Sequence, residues 1–172
     1  KEAVMAIGSS AMCGTFKREI LAGIHRLTAH TRASSTISAD TFKVAMFTNS
    51  ASIDADTTGY TTSNEVSGTN YSAGGATLSS VTIGLADNSS AVPTAFVDFA
   101  DTTFSSSTIS SARGALIYNS TLSSAGTGST TNHAADPAVA VINFGGDKSS
   151  SAGDFTIQYP ANDANNAIIR IS

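Results

Sequence analysis

The stretch FKVAMFT, residues 42 to 48, decides the fold. Its apolar residues occupy both faces of an extended chain, which is typical of a strand in the interior of a sheet. Six later stretches also have the length and composition of strands, and runs rich in Gly, Asn, Asp and Ser separate them. They are TLSSVTIGL (77–85), AFVDFA (95–100), ARGALIYN (112–119), AVAVINF (138–144), DFTIQYP (154–160) and AIIRIS (167–172).

This series predicts a mainly β protein, an antiparallel β-sandwich or barrel of about seven strands. No second helical pattern alternates with the strands, so a parallel βαβ sheet is not expected. We expect residues 41–172 to form a single β domain. Residues 1–40 are expected to supply an N-terminal tail, a helix and a polar connector.

The one helix is predicted at residues 15–28, TFKREILAGIHRLT, with Thr15 as its cap and Gly23 in its interior. Polar and charged residues, Glu19 among them, are expected on the outer faces. The apolar stripe docks either on the sheet of this chain or on a neighbouring subunit, because so short a helix is not stable alone. The stripe consists of Phe16, Ile20, Ile24 and Leu27, with Leu21 beside it.

The composition excludes several classes of function. Only nine of the 172 residues are Lys or Arg and the net charge is −4, so a basic nucleic-acid surface is not expected. No apolar run reaches the ~18 residues of a membrane span. The single cysteine, Cys13, is expected to be a small buried apolar residue. Residues 1–4 are compatible with an upstream start, a tag or processing.

The ionisable residues form no catalytic or metal-binding pattern. The histidines lack ligand spacing, and His25 is expected at the surface or in an interface. Asp54 and Asp56 are interpreted as an Asx turn, with a weak calcium site as the alternative. No nucleophile elbow or phosphate loop occurs. We therefore expect no catalytic residue, no metal and no cofactor, and a non-enzymatic protein.

Two long connections, residues 49–76 and 120–137, have loop composition. In the first, EVSGTNYSAGG (65–75) combines apolar anchors with glycines that allow positive φ in tight reversals. The second is expected to be more flexible, with Leu122 as almost its only apolar anchor. The anchors of the first are Val66 and Tyr71, and its turn glycines are Gly68, Gly74 and Gly75.

Arg113 lies between small residues at the start of an apolar strand. We expect an edge arginine paired with a carboxylate such as Asp98 or Asp101. An ion pair between subunits is the alternative.

Four blocks of the chain resemble, in order, a family of small virion structural proteins of tailed bacteriophages. They are residues 41–78, 96–119 and 138–172, together with FKREILAGIH (16–25). The chain departs from the family pattern in its long 120–137 segment. The resemblance implies a virion protein assembled in the bacterial cytoplasm, and a decoration or cement protein of the capsid is our first interpretation.

The resemblance leaves alternatives open: a tail, neck or fibre component, or a carbohydrate-binding adhesion module, which the absence of tryptophan disfavours. Expected partners are the major capsid protein, or tail and neck proteins, and further copies in a cyclic homo-oligomer. No nucleic-acid or membrane partner is expected. The expected interface residues are Phe16, Ile20, Leu21, Ile24, Val66, Tyr71 and Arg113.

Overall fold

The structure, a computed structural model, describes residues 7–86, 93–127 and 132–172. Within these ranges the chain forms one helix and eleven strands. In chain order the elements are β1 (Ala11–Met12), α1 (Gly14–Leu21), β2 (His30–Arg32), β3 (Ser35–Ile37), β4 (Phe42–Phe47), β5 (Gly68–Thr69), β6 (Ala76–Thr77), β7 (Thr82–Ala86), β8 (Thr94–Asp98), β9 (Thr102–Asn119), β10 (Ala138–Ile157) and β11 (Ile169–Ile171).

The larger sheet has the order β1-β10-β9-β4-β6, and β5 pairs with β9 at Thr108 and Ile109. All of its pairings are antiparallel. Strand β4 lies inside this sheet between β9 and β6, and every residue in it except Lys43 is buried. The prediction of a central strand at 42–48 is confirmed, because apolar residues on both faces require cover on both sides.

A three-stranded antiparallel sheet, β11-β8-β7, forms the second layer, and β2 pairs with β3 in a separate hairpin. Val97 of β8 and Ile169 of β11 belong to the same buried cluster as the apolar residues of β4 and β9. The rings of Phe42 and Phe99 lie 6.5 Å apart within this core. The antiparallel, sandwich-like β fold with one helix is therefore confirmed, but the described residues form eleven strands where about seven were predicted, because several short strands lie in segments of loop composition.

Strand boundaries differ from the prediction where Ser and Thr predominate. The predicted strands 138–144 and 154–160 are one strand, β10, of 20 residues. Strand β9 begins at Thr102, well before the predicted start at 112. Strands β9 and β10 pair along their length with several register shifts. Backbone hydrogen bonds therefore hold together a long two-stranded ribbon in segments whose side-chain pattern predicts turns.

The strands in two further regions also differ from the prediction. The predicted strand 77–85 is split between β6 and β7, and the connector 29–40 contains the hairpin of β2 and β3. Ile7, Cys13 and Phe16 belong to the main core cluster, and β1 pairs with β10. The N-terminal elements thus share the core of the β strands.

The helix is shorter than predicted, because Gly23 ends it. Gly23 has φ +69°, and its N–H donates to the carbonyl of Ile20 at 3.0 Å, while the N–H of Ile24 donates to the carbonyl of Glu19 at 2.9 Å. These two bonds form a Schellman cap, in which a glycine with positive φ reverses the chain. The predicted Thr15 cap was wrong: Cys13 occupies the N-cap position, without a side-chain hydrogen bond.

Candidate functional site

Two clusters of hydrogen-bonded polar side chains lie in the described part of the chain, and the first begins at the reversal after α1. Because the Schellman cap turns the chain back, the imidazole of His25 returns over the last turn of the helix. Its Nε2 lies 2.8 Å from Oε2 of Glu19, and the two side chains are 0% and 1% exposed. The ring also packs at 4.8 Å from the ring of Phe16. Glu19 was expected on an outer face and His25 at a surface, so both expectations were wrong.

Asn119, at the end of β9, joins this pair to Asp40. Its amide nitrogen lies 3.1 Å from Nδ1 of His25 and 2.8 Å from Oδ2 of Asp40, and its Oδ1 accepts from the N–H of Thr121 at 3.1 Å. An amide nitrogen only donates, so Nδ1 of His25 is the acceptor and Nε2–H donates to Glu19. The geometry therefore fits a neutral imidazole with its proton on Nε2.

The pKa of His25 agrees with that assignment. Burial lowers it below its ordinary value, while the hydrogen bond to Glu19 and the charges of Glu19 and Asp40 oppose the shift. His133, from the 120–137 connection, lowers it slightly further.

The carboxylate of Asp40 also binds Arg26. The guanidinium Nε and Nη2 lie 3.0 Å and 2.8 Å from Oδ1, and the backbone N–H of Arg26 donates to Oδ2 at 2.9 Å. The N–H of Asp40 donates in return to the carbonyl of Arg26 at 2.7 Å. The groups of this first cluster thus satisfy one another and connect α1, the segment after it and the end of β9. Their mutual hydrogen bonds cross-link these three parts of the fold.

The second cluster explains the segment 65–75. The carboxylate of Glu65 accepts from the hydroxyl of Tyr60 at 2.6 Å, from the hydroxyl of Tyr71 at 2.7 Å and from the N–H of Gly74 at 2.8 Å. The hydroxyl of Tyr118 donates to the carbonyl of Gly74 at 2.7 Å. One carboxylate thereby holds Tyr60, Tyr71 and Gly74 of the long connection together beside β9.

Aromatic packing fixes this second cluster to the larger sheet. The rings of Tyr60 and Tyr118 are stacked 4.5 Å apart, and the hydroxyl oxygen of Tyr71 accepts from the N–H of Met46 at 2.9 Å. Burial raises the pKa of Tyr118 to about 12, and burial together with Glu65 raises the pKa values of Tyr60 and Tyr71. These phenols stay protonated and serve as donors.

The predicted anchors and turn glycines are mostly where they were expected. Val66 and Tyr71 are buried, and Gly74 and Gly75 have φ values of +89° and +67°. Gly68 was predicted wrongly, since it has no positive φ. It pairs with Ile109, and a Cβ at Gly68 would lie 1.9 Å from the carbonyl oxygen of Thr108. Its glycine is required by the close approach of two backbones.

Arg113 is paired with Asp147 at 3.2 Å, so the expected pairing with a carboxylate of this chain is confirmed, but the two carboxylates named as examples, Asp98 and Asp101, were wrong. The register of β10 shifts between Asn143 and Lys148, opposite Gly114 and Ala112. The extra residues of this bulge bring Asp147 beside the guanidinium of Arg113. The spacing of residues in the sequence does not predict this contact.

The remaining predicted interface residues are divided by burial. Phe16 is fully buried and Val66 and Tyr71 are buried, so these side chains pack within the chain. Ile20 is half-buried against the core, and Ile24 is half-buried. Leu21 is 90% exposed. Of the apolar residues proposed for an interface, Leu21 therefore offers the most surface to a neighbour.

The other candidate sites are structural in the described part of the chain. The N–H of Asp56 donates to Oδ1 of Asp54 at 2.8 Å, which confirms the Asx turn. No group of three or more His, Cys, Asp or Glu in residues 7–86, 93–127 and 132–172 is placed to hold a metal ion. Cys13 is buried as expected, and burial raises its thiol pKa to about 12.

The long 120–137 connection is described at its two ends. The N–H of Asp136 donates to the carbonyl of Leu122 at 2.8 Å, and the N–H of Gly126 to that of His133 at 3.0 Å. The centre of the segment, on which the expected flexibility depends, lies outside the described residues, as do residues 1–4.

Exposed apolar side chains gather on the smaller sheet. Ile83 and Leu85 of β7 are 53% and 69% exposed, and Ile171 of β11 is 47% exposed. Strand β8 lies between these two strands. Among the described residues, no helix is long and apolar enough to cross a membrane.

Comparison of the chain with protein-family models, with curated proteins and with solved structures finds no match.

Proposed function

We propose that this chain is a non-enzymatic structural protein of a tailed-bacteriophage virion, and that it decorates the capsid as a cement protein. The observation that carries the proposal is the apolar surface formed by Ile83, Leu85 and Ile171. Single exposed apolar residues are common, but a group that continues across one sheet marks a surface for contact with another protein.

The interior supports the same function. The first cluster fixes the helix to the end of β9, and the second fixes the long connection to the larger sheet through Glu65. Their ionisable groups are used to hold loops in place. A rigid body with a defined surface suits a protein that works by fitting between neighbours, since little ordering cost is left for the moment of binding.

Cement proteins act through many copies, so each contact can be weak. Repetition over a particle raises the effective concentration of every further contact and makes the whole layer stable. The proposed partners are the major capsid protein and further copies of this chain, in a homo-oligomer. Neither nucleic acid nor a membrane is a partner in this proposal.

Stained gels of purified particles of the phage that encodes the chain test the proposal. Band densitometry against the major capsid protein should give on the order of hundreds of copies per particle, as a repeated surface layer requires. A copy number of a few tens or fewer would assign the chain to the tail, neck or a fibre instead. Absence of the chain from the particles would refute a virion role.

A further inference from the structure

We infer that strand β7 is a self-pairing edge, which joins antiparallel to β7 of a second copy of this chain. The inference deepens the homo-oligomer of the proposed function and rests on that part of it. It specifies which backbone and which side chains make the contact between copies.

Strand β7 is the outer strand of its sheet. In the described part of the chain it pairs with β8 on one side, and no strand lies on its other side. Proteins usually protect such an edge with charged residues or proline. Residues 77–86, TLSSVTIGLA, contain neither. The unprotected edge is thus a template for an added strand.

The exposed apolar side chains of β7, Ile83 and Leu85, lie on one face, because alternate residues of a strand point to the same side. Ile83 is opposite Val97, which in turn is opposite Ile169, and both Val97 and Ile169 are buried. The next row ends in exposed residues, since Leu85 is opposite Ala95, and Ala95 is opposite Ile171. The core therefore covers Val97 and Ile169 but leaves Ile83, Leu85 and Ile171 of the same apolar face exposed.

A second copy fits this edge better than a charged partner does. A two-fold axis perpendicular to the sheet pairs β7 with itself and keeps both apolar faces on the same side. Ile83 and Leu85 of one copy then lie beside the same residues of the other, and the face of six strands continues without interruption. Because residues 77–86 are uncharged, the pairing brings no like charges together across the edge, although each chain carries a net charge of −4.

The opposite face near the axis is also compatible with pairing. Gly84 contributes no side chain there, and the ring of Phe96 covers it so closely that a Cβ would lie 2.1 Å from Cζ. A second strand joins in the plane of the sheet, so pairing at Gly84 requires no room on this face.

The contact is small, since β7 has five residues. Specific stable interfaces bury roughly 800 Å² per partner, and one short strand pairing falls below that. We therefore expect a dimer that depends on concentration in solution and that becomes stable when many copies are held together on a surface.

Sedimentation equilibrium of the purified chain over a series of concentrations tests the inference. The wild type should show a monomer–dimer equilibrium, and Leu85→Lys should weaken it by roughly tenfold or more, because it places two like charges across the edge. Thr36→Lys is the control: Thr36 is exposed on β3, which belongs to the separate hairpin with β2 and not to this sheet, and the substitution should leave the equilibrium unchanged. A wild type that stays monomeric, or an equal effect of both variants, would overturn the inference.

Cysteine cross-linking gives an independent readout. In the double variant Ile83→Cys/Leu85→Cys, a two-fold axis through position 83, 84 or 85 places at least one pair of introduced thiols opposite each other. Mild oxidation should give a disulfide-linked dimer on a non-reducing gel, whereas Thr36→Cys, on the separate hairpin of β2 and β3, should not. Failure of the double variant to cross-link while it remains folded would contradict pairing at β7.

These outcomes are distinguishable from those of the particle experiment. A chain absent from virions refutes the virion role without changing the sedimentation result. A monomeric wild type, with Leu85→Lys lost from particles, would assign the edge to a different virion protein and would overturn self-pairing.

Discussion

His25 and Glu19 share a hydrogen bond of 2.8 Å although six residues and the end of a helix separate them in sequence. Both side chains are shielded from solvent, and the other imidazole nitrogen accepts from the amide of Asn119. A titratable ring is thus held neutral at the junction of α1 and β9. The stability of that junction depends on the protonation of one residue.

Stability should fall on mild acidification because of His25. Its pKa is lowered in the folded protein, so the unfolded chain binds the proton more readily. The contribution of the neutral imidazole to the free energy of unfolding is therefore present above the pKa of the unfolded chain, about 6.5. It is lost as pH falls toward the pKa of His25 in the folded protein. Urea unfolding of the wild type between about pH 7 and pH 5 should show this loss, and His25→Gln should show a smaller dependence on pH.

The control for that comparison is His30→Gln, since His30 is exposed. It should keep the dependence on pH of the wild type. The carboxylates Glu19 and Asp40 face His25 and are present in all variants, so the difference between His25→Gln and His30→Gln reports on the imidazole of His25. An identical slope for the wild type and His25→Gln would contradict the role assigned to the ring.

Glu65→Gln should destabilise the fold by about 1–3 kcal/mol. Two tyrosine hydroxyls and the N–H of Gly74 require acceptors, and the new amide nitrogen cannot accept a hydrogen bond. Equilibrium urea unfolding measures the loss. Asp56→Asn changes an exposed acid in the same long connection and should alter the free energy of unfolding by less than about 0.5 kcal/mol. Equal effects of the two substitutions would show that the second cluster is not stabilising.

Gly75→Ala should be much more damaging than Gly146→Ala. Gly75 has φ +67°, and a Cβ there would lie 1.9 Å from the carbonyl oxygen of Val44, so both the backbone and the packing of β4 must shift. A cost of about 3 kcal/mol or more is expected. At Gly146 a Cβ meets no atom within 4 Å. The yield of soluble protein and the midpoint of unfolding compare the two variants, and similar values for both would be evidence against the role of Gly75.

Cys13 should resist thiol reagents in the native protein. The residue is fully buried and its pKa is raised to about 12, so almost no thiolate is present or accessible at neutral pH. Labelling with a disulfide reagent should be slow in buffer and fast in denaturant. Leu21→Cys supplies a comparison, since it adds an exposed thiol that should react at once. Rapid labelling of Cys13 without denaturant would show that the region around the start of α1 opens readily.

Much of the fold could be predicted from local pattern. The apolar residues on both faces of 42–48 specify an interior strand, and the absence of a second helical pattern excludes a βαβ sheet. The anchors Val66 and Tyr71, and the glycines at 74 and 75, were also readable, because turn chemistry depends on neighbouring residues alone.

The candidate clusters could not be predicted in the same way. Glu19 looks like a surface residue of a helix that continues to residue 28. Had Gly23 been read as a C-terminal cap, the chain reversal that brings His25 over Glu19 would have been evident. The contacts with Asp40 and Asn119 have no such local signal, because they depend on which strands become neighbours.

The amino-acid sequence by itself determined the secondary-structure class, the interior strand and the turn glycines, since these follow from the conformational preferences and periodicity of adjacent residues. Only the tertiary structure decided the length of the Ser/Thr-rich ribbon, the partner of Arg113 and the exposure of the β7 edge. Those features depend on pairing between segments far apart in the chain, and a charged or polar side chain takes its role from whichever groups the fold brings within hydrogen-bonding distance.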